Sequence, residues 1–195
     1  MPVVKRYATY EDLEAVPETM VAELIDGDLI VSPRPASPQA RATIALGSSL
    51  IGTFDGPRGG ADAAKWWMLF EPELHLGRNV LIPDIAGWRR DRMPRLLNVT
   101  AFTQAPDWAC ETPSPSTGAV DRGRKMSVYA REGVRHLWII DPIARTLEVY
   151  RLDGERWIVA STHSGNDPIT AEPFDAVTLD PSDWWLEPEG VQPIG

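Results

Sequence analysis

Long apolar runs and cysteines are scarce in this chain of 195 residues. No stretch approaches about 18 consecutive apolar residues, so we expect no membrane span. The opening residues, MPVVKRYATYEDLEAV, hold no apolar segment typical of a signal peptide, and we therefore expect a cytoplasmic location. Cys110 is the single cysteine, which excludes an internal disulfide and fits a reducing compartment.

Basic residues are also in short supply, because 19 Lys and Arg face 28 Asp and Glu, giving a net charge of −9. Proteins that coat nucleic acid without sequence preference usually carry a basic excess, so the charge argues against that class. A nuclease is not excluded, since a bound divalent cation changes the local charge of an acidic site.

Length and composition predict one soluble domain over residues 1–195. A domain commonly takes about 100–200 residues. The hydrophobic fraction of 43% is ordinary for a globular protein. A chain of this size buries enough apolar surface to fold without cross-links.

The first third of the sequence predicts a short helix, a β-hairpin and a longer helix. Thr9 is expected to cap a helix that ends before Pro17. Asp26-Gly27 favours a two-residue turn inside a hairpin over 20–32, which puts Glu23 on its first strand. Helical spacing predicts a helix over 39–54, with three apolar residues buried: Ile44, Leu46 and Leu50. A Gly-rich turn is expected from Gly56 to Ala61.

The rest of the sequence alternates extended and helical signals and predicts a mixed α/β (α+β) fold. Extended segments are expected at 66–70, 73–76, 79–88, 107–112, 135–141, 146–152 and 156–160. A helix is expected over 116–132, ended by Gly133. This helix joins the strands at 107–112 and 135–141, which favours a parallel crossover. The result is a mixed sheet with flanking helices and β-hairpins.

Acidic residues stand at the ends of two apolar strands. Asp84 interrupts the run LIPDIA, and Glu111 ends the run WACE. Burying such a carboxylate is costly unless it is paired or binds a cation. Taken alone, Asp84 is slightly better explained as a strand-end residue that caps a turn, and Glu111 is as well explained by a solvated strand end as by a functional site.

A helix-borne lysine adds to these acids. Asp121, Lys125 and Tyr129 are spaced by four residues and share one helical face, although a surface ion pair beside an aromatic ring would give the same spacing. Carboxylates at neighbouring strand ends suit a hard cation such as Mg²⁺. An ammonium group nearby can stabilise phosphate charge or orient an attacking water. The combination is what phosphodiester hydrolysis requires.

Several sequence blocks follow one another along the chain. They are ELIDG at 23–27, PDIA at 83–86, Glu111 followed by SPST at 114–117, then Asp121, Lys125 and Tyr129, and finally GV at 133–134 with LWIIDP at 137–142. In this order and spacing they resemble the Uma-two family of restriction endonucleases, within the PD-(D/E)XK nuclease superfamily. The resemblance runs from about Thr9 to the region of Trp184 and covers nearly the whole chain.

The resemblance implies a restriction-endonuclease-like core and a metal site. It implies that Asp84 and Glu111 bind the metal and that Glu23 is the acid of the first element. The superfamily has a lysine two residues after the second acid, where this chain has Pro113, and Lys125 on the following helix is implied as its replacement. Relatives often have a histidine where this chain has Gln39, which can donate hydrogen bonds but does not titrate near neutral pH.

Substrate contacts are expected from Arg89 and Arg90, which open a basic cluster after Asp84, and from Tyr129 and Gln39. A solvated loop would explain the arginines equally well. The eight tryptophans favour core and dimer-interface packing over stacking on bases.

The function that these residues favour is a Mg²⁺-dependent endonuclease acting on DNA, with Mn²⁺ as a substitute metal and a homodimeric assembly. An alternative is a non-catalytic dimeric binding or scaffold protein of the same fold, which the acidic surface and Pro113 support. A third is hydrolysis of a small phosphorylated metabolite, which would require an enclosed pocket.

Overall fold

A computed structural model of the chain describes residues 2–56 and 65–186. The turn expected at Gly56–Ala61 lies, beyond its first residue, outside the described residues. The strands are β1 (Val3–Arg6), β2 (Met20–Ile25), β3 (Asp28–Pro33), β4 (Trp66–Phe70), β5 (Glu73–Leu76), β6 (Asn79–Leu81), β7 (Ile85–Arg89), β8 (Ala101–Phe102), β9 (Trp108–Glu111), β10 (His136–Asp141), β11 (Thr146–Asp153) and β12 (Arg156–Ser164). The α-helices are α1 (Tyr10–Glu14), α2 (Ser37–Leu50) and α3 (Met126–Arg131).

These strands form two mixed sheets, so the predicted mixed α+β class is confirmed, although the sequence indicated one sheet. The first sheet has the order β1-β3-β2-β6-β5-β8. Its β2–β3 hairpin turns at Asp26 and Gly27, whose φ angles of 52° and 83° are those of the predicted two-residue turn. β1, which pairs antiparallel with β3, was not predicted.

The second sheet has the order β12-β11-β10-β9-β7-β4. β9 and β10 run parallel and are joined through the helical segment, as predicted. β7 pairs antiparallel with β9, with Ile85 opposite Cys110. This pairing puts the start of β7 beside the end of β9.

The strand predicted over 79–88 is in fact two strands in different sheets. β6 belongs to the first sheet and β7 to the second, and Ile82, Pro83 and Asp84 connect them. Pro83 has no N–H group and cannot continue a hydrogen-bonded ladder. The chain therefore crosses between the sheets here and leaves Asp84 at the crossing point.

The helices begin and end close to the predicted positions. Thr9 caps α1 through a reciprocal pair of hydrogen bonds with Asp12. A π-helical turn at Ile51–Asp55 follows α2, and another at Val120–Lys125 precedes α3. The predicted burial of Leu46 is confirmed, but that of Ile44 is wrong, since this side chain is 53% exposed.

The position of Ile44 follows from helix geometry. The buried stripe of α2 runs through Ala42, Leu46 and Leu50 at intervals of four. A residue two positions from this stripe points to the opposite face. On the buried side, a side chain at Gly47 would place its Cβ 2.2 Å from the ring of Phe70, so any other residue here would require that ring to move.

An aromatic core covers one face of the second sheet. We use this name for Trp66, Trp108, Trp138 and Phe174, all of them buried. The Phe174 ring centroid lies 5.0 Å from those of Trp66 and Trp108 and 5.5 Å from that of Trp138. The preference for packing over base stacking agrees with this arrangement. In the described part of the chain, no helix has the length and apolar character that crossing a membrane requires.

Candidate functional site

A cavity of about 200 Å³ is lined by residues of both sheets. We call it the acidic cavity, after four carboxylates and one ammonium group that line it: Glu23, Asp84, Glu111, Asp121 and Lys125. Glu23 comes from β2 in the first sheet and Glu111 from β9 in the second. The connection between β6 and β7 supplies Asp84, and the π-helical turn before α3 supplies Asp121 and Lys125.

Lys125 lies among these carboxylates. Its Nζ is 2.9 Å from Glu23 Oε1 and 2.9 Å from Glu111 Oε2, and Asp121 Oδ1 is 3.7 Å away. It also donates a hydrogen bond to the carbonyl oxygen of Ile82 at 3.2 Å. The side chain is only 3% exposed, so these contacts are hardly screened by water. The structure thus brings together the lysine and the acids that the sequence singled out.

Each of the three predicted metal-binding acids is fixed by a hydrogen bond from a neighbour. Glu23 Oε1 accepts from the N–H of Ile82 at 2.8 Å. Asp84 Oδ2 accepts from the N–H of Thr112 at 2.6 Å, and Glu111 Oε1 accepts from the hydroxyl of Tyr129 at 2.6 Å. These contacts orient the carboxylates without neutralising them.

Burial dominates the titration of the acids in the cavity. Loss of solvent raises the pKa of Asp84 to about 7, although the Lys125 charge opposes the rise. Burial likewise raises the pKa of Glu111 well above its usual range and also raises that of Asp121. Burial opposes the charge of Lys125, but Glu111 and Glu23 raise its pKa well above the usual value. One lysine therefore faces four acids, whose raised pKa values reflect the cost of keeping them charged without a further cation nearby.

The donor set fits a hard divalent cation. Asp84 and Glu111 both line the cavity, and the charge of Asp84 contributes to the raised pKa of Glu111, so the two carboxylates lie within electrostatic reach of each other. Mg²⁺ commonly takes one or two carboxylates and keeps its waters. Among the described residues, no three acidic, His or Cys side chains are grouped to share an ion as they stand.

Of the two predicted substrate contacts Gln39 and Tyr129, only Gln39 is among the residues that line the cavity. Gln39 lines the acidic cavity and donates to the carbonyl oxygen of Pro113 at 3.5 Å. Tyr129 is fully buried, and its hydroxyl is taken up by Glu111. Tyr129 therefore supports Glu111 and is not among the residues that line the cavity, while a contact with substrate stays a prediction.

The arginine cluster lies away from the acidic cavity. Arg89 ends β7, five residues after Asp84, which corresponds to roughly 16 Å of extended chain. Arg89 pairs with Asp91 at 3.0 Å, and Arg90 pairs with Asp55 at 2.7 Å while its guanidinium stacks on Trp67. The structure does not bring these two arginines to the carboxylates.

Arg34 is a cavity residue that sequence reasoning missed. It lines the acidic cavity from the loop after β3. Among the described residues, Arg34 and Lys125 are the two cationic side chains that line this cavity. Its partners lie far away in sequence, and its neighbours Pro33 and Pro35 indicate only a loop. No local signal could have identified it.

Three comparisons with known proteins relate the chain to a family and a fold. The family model described as "Uma2: Putative restriction endonuclease" matches residues 7–182. A crystal structure from Anabaena variabilis, described as "a putative nuclease belonging to DUF820", shares the fold with a TM-score of 0.71 and 23% identity, covering 91% of this chain and 97% of that one. No curated protein matches the chain.

Proposed function

The chain belongs to the Uma2 family, and we propose that it is a Mg²⁺-dependent endonuclease that hydrolyses phosphodiester bonds of DNA. The observation that carries the proposal is the acidic cavity itself, where Asp84 and Glu111 line the same space and Lys125 Nζ lies 2.9 Å from Glu111 Oε2. The carboxylate pair would hold a divalent cation, and the buried ammonium group would stabilise negative charge on the phosphate, as phosphoryl transfer requires.

Asp84 and Glu111 would hold the ion, with Glu23 completing or orienting the shell, and Mn²⁺ would substitute for Mg²⁺. When bound, such an ion polarises a phosphoryl oxygen and lowers the pKa of a water molecule. Tyr129 fixes the orientation of Glu111 through its hydroxyl. The backbone N–H of Thr112 does the same for Asp84.

Lys125 acts as a fixed positive charge. Because its neighbours raise its pKa well above the usual value, it stays protonated throughout the neutral range and is not a general base. Its role is to stabilise the additional negative charge on the phosphate oxygens as the bond to the leaving group breaks. Lys125 would thus take the role of the superfamily lysine that stands two residues after the second acid, where this chain has Pro113.

A cleavage assay tests this function. Supercoiled, linear duplex and single-stranded DNA are incubated with Mg²⁺, and calorimetry measures Mg²⁺ binding separately. Asp84→Asn keeps the shape and the contact with Thr112 but removes the charge, so cleavage should fall at least about a thousandfold, corresponding to about 4 kcal/mol.

Asp91→Asn is the matched control, because Asp91 is exposed and pairs with Arg89 outside the cavity. It should cleave DNA like the unsubstituted protein. Cleavage by Asp84→Asn at an undiminished rate would rule out the proposed site.

A non-catalytic binding or scaffold role, as a dimer, is the second candidate. Lys125 already contacts Glu23 and Glu111 directly, which gives the cavity a stabilising arrangement that requires no metal. Calorimetry that detects no Mg²⁺ or Mn²⁺ binding at millimolar concentration, with the fold intact, would favour this role.

A further inference from the structure

An ion pair between Arg34 and Glu71 joins two loops at the acidic cavity. Arg34 follows β3 and lines the cavity, and Glu71 follows β4. Arg34 Nη1 lies 3.0 Å from Glu71 Oε2, and Nη2 donates to the carbonyl oxygen of Glu18 at 3.1 Å. The two side chains are 48% and 42% exposed, so their attraction is screened and the pair is weak.

Glu71 is held next to Asp84 in a backbone conformation that glycine favours. Its φ angle is +45°, which is uncommon for a residue with a side chain. Its N–H donates to the carbonyl oxygen of Asp84 at 3.1 Å. Strain of this kind persists where the surrounding structure imposes it, and it is often found at binding sites. The strained turn thus adds a fifth carboxylate near the four in the cavity.

The cations available to an incoming anion are few. Among the described residues, Arg34 and Lys125 are the only cationic side chains that line the cavity. Lys125 is buried and surrounded by carboxylates, whereas about half of the Arg34 side chain is exposed. An exposed guanidinium is suited to hold two phosphate oxygens at once.

We propose that Arg34 binds a backbone phosphate of the nucleic acid at the mouth of the cavity, in exchange for Glu71. This inference rests on the proposed function and names a residue that positions its substrate. The cavity, at about 200 Å³, is smaller than the roughly 300–1,000 Å³ of pockets that enclose whole ligands. The strand therefore lies mostly outside it, where an exposed arginine can reach a phosphate. Before DNA binds, Glu71 holds the Arg34 guanidinium in position. The negative charge of Glu71 opposes phosphate binding until Arg34 exchanges its partner.

Two substitutions that break the same ion pair test the exchange. Binding of a fluorescently labelled single-stranded DNA is measured by anisotropy with Ca²⁺ in place of Mg²⁺, over a series of salt concentrations. Arg34→Gln should weaken binding about tenfold. It should also reduce the slope of log affinity against log salt by about 0.7, the value expected for one lost phosphate contact on a single strand. Glu71→Gln should strengthen binding about threefold, because it frees Arg34 and removes a negative charge.

A change in net charge alone also gives the two variants effects of opposite sign, so the exchange is supported by effects larger than that of a matched exposed pair away from the cavity. Arg151→Gln is the matched control and should change affinity less than about twofold, because Arg151 forms a similarly exposed pair with Glu172 and does not line the cavity. Unchanged binding by Arg34→Gln, or weakened binding by Glu71→Gln, overturns the inference. If those results accompany normal Mg²⁺-dependent cleavage by the unsubstituted protein, only the inference fails. If the unsubstituted protein neither binds nor cleaves DNA, the proposed function fails with it.

Discussion

The two faces of β9 bury side chains equally well but for opposite reasons. Trp108 and Cys110 face the aromatic core and are fully buried. Glu111, one residue further along, is 2% exposed and faces the acidic cavity. Burying a large apolar side chain stabilises a fold by about 1.5–3 kcal/mol, whereas burying a carboxylate costs free energy unless it is paired. One face of the strand therefore stabilises the fold through apolar burial, whereas the other depends on the contacts of Glu111 with Lys125 and Tyr129 to offset the cost of burying a charge.

Removing the central ring of the aromatic core should give the largest change in stability. Phe174→Ala is expected to lower the free energy of unfolding by about 4 kcal/mol, because the ring contacts three buried tryptophans. Cleavage per folded molecule should stay constant. Urea denaturation and cleavage below the unfolding transition measure the two quantities. Ile44→Ala, at an exposed helix position, is the control and should leave both unchanged. A fall in cleavage without a loss of stability would show that the two faces are coupled.

Lys125→Met should have the next largest effect, and this effect should depend on pH. It leaves four acids without their cation and should cost about 3 kcal/mol at pH 8. Burial already raises the pKa of Glu111 and Asp121, so lowering the pH from 8 to 5 favours protonation of these groups and should shrink the cost. Urea denaturation at both pH values tests this. Lys5→Met, which breaks an exposed pair with Asp12, should show no such dependence. An equal loss at pH 5 and pH 8 would contradict the charge imbalance.

Asp84→Asn should stabilise the protein while removing its activity. The folded-state pKa of Asp84 is about 7, above the unfolded value of about 4. The folded state therefore binds more protons between these values, and stability falls as the pH rises from about 4 to about 7. The shift corresponds to at most about 4 kcal/mol, and we expect about 2 kcal/mol because Asp84 is only partly buried. The variant should be the more stable at pH 8 and show a flatter pH profile. Identical profiles for Asp84→Asn and the unsubstituted protein would refute this reading.

Tyr129→Phe should give the smallest effect and tests how firmly Glu111 must be held. Losing the hydroxyl should cost about 1.5 kcal/mol of stability, because the hydrogen bond is buried and reaches a carboxylate. The ring still packs in the core, so a roughly tenfold fall in cleavage would reflect the lost orientation of Glu111. Tyr150→Phe is the control, since its hydroxyl contacts Glu148 outside the cavity. Equal cleavage by both variants would show that Tyr129 is purely structural.

Local chemistry explains which features the sequence could predict. The Asp26-Gly27 turn and the Thr9 cap depend on neighbouring residues and are found where predicted. The spacing of Asp121 and Lys125 predicted a shared face, and both line the acidic cavity. These features require no knowledge of distant contacts.

Non-local contacts explain what the sequence could not predict. Pro83 in the run NVLIPDIAGW indicated a break, but only the sheet assignment shows that the chain changes sheets there. Arg90 looked available for phosphate, yet Asp55 pairs with it from 35 residues away. Arg34 gave no signal, because its partner Glu71 lies 37 residues along the chain. Such pairings are decided by tertiary structure.

The peptide unit of Ile82 gives the acidic cavity a further property. Its N–H donates to Glu23, its carbonyl oxygen accepts from Lys125, and the residue lies where the chain passes from one sheet to the other. The first sheet supplies Glu23 and the second supplies Glu111, so neither sheet alone provides all the carboxylates of the cavity. Assembly of the site is thus cooperative with folding of the whole chain, and a partly folded intermediate would be catalytically silent. For a nuclease, this coupling would keep a newly made chain from cutting nucleic acid before it has reached its final structure.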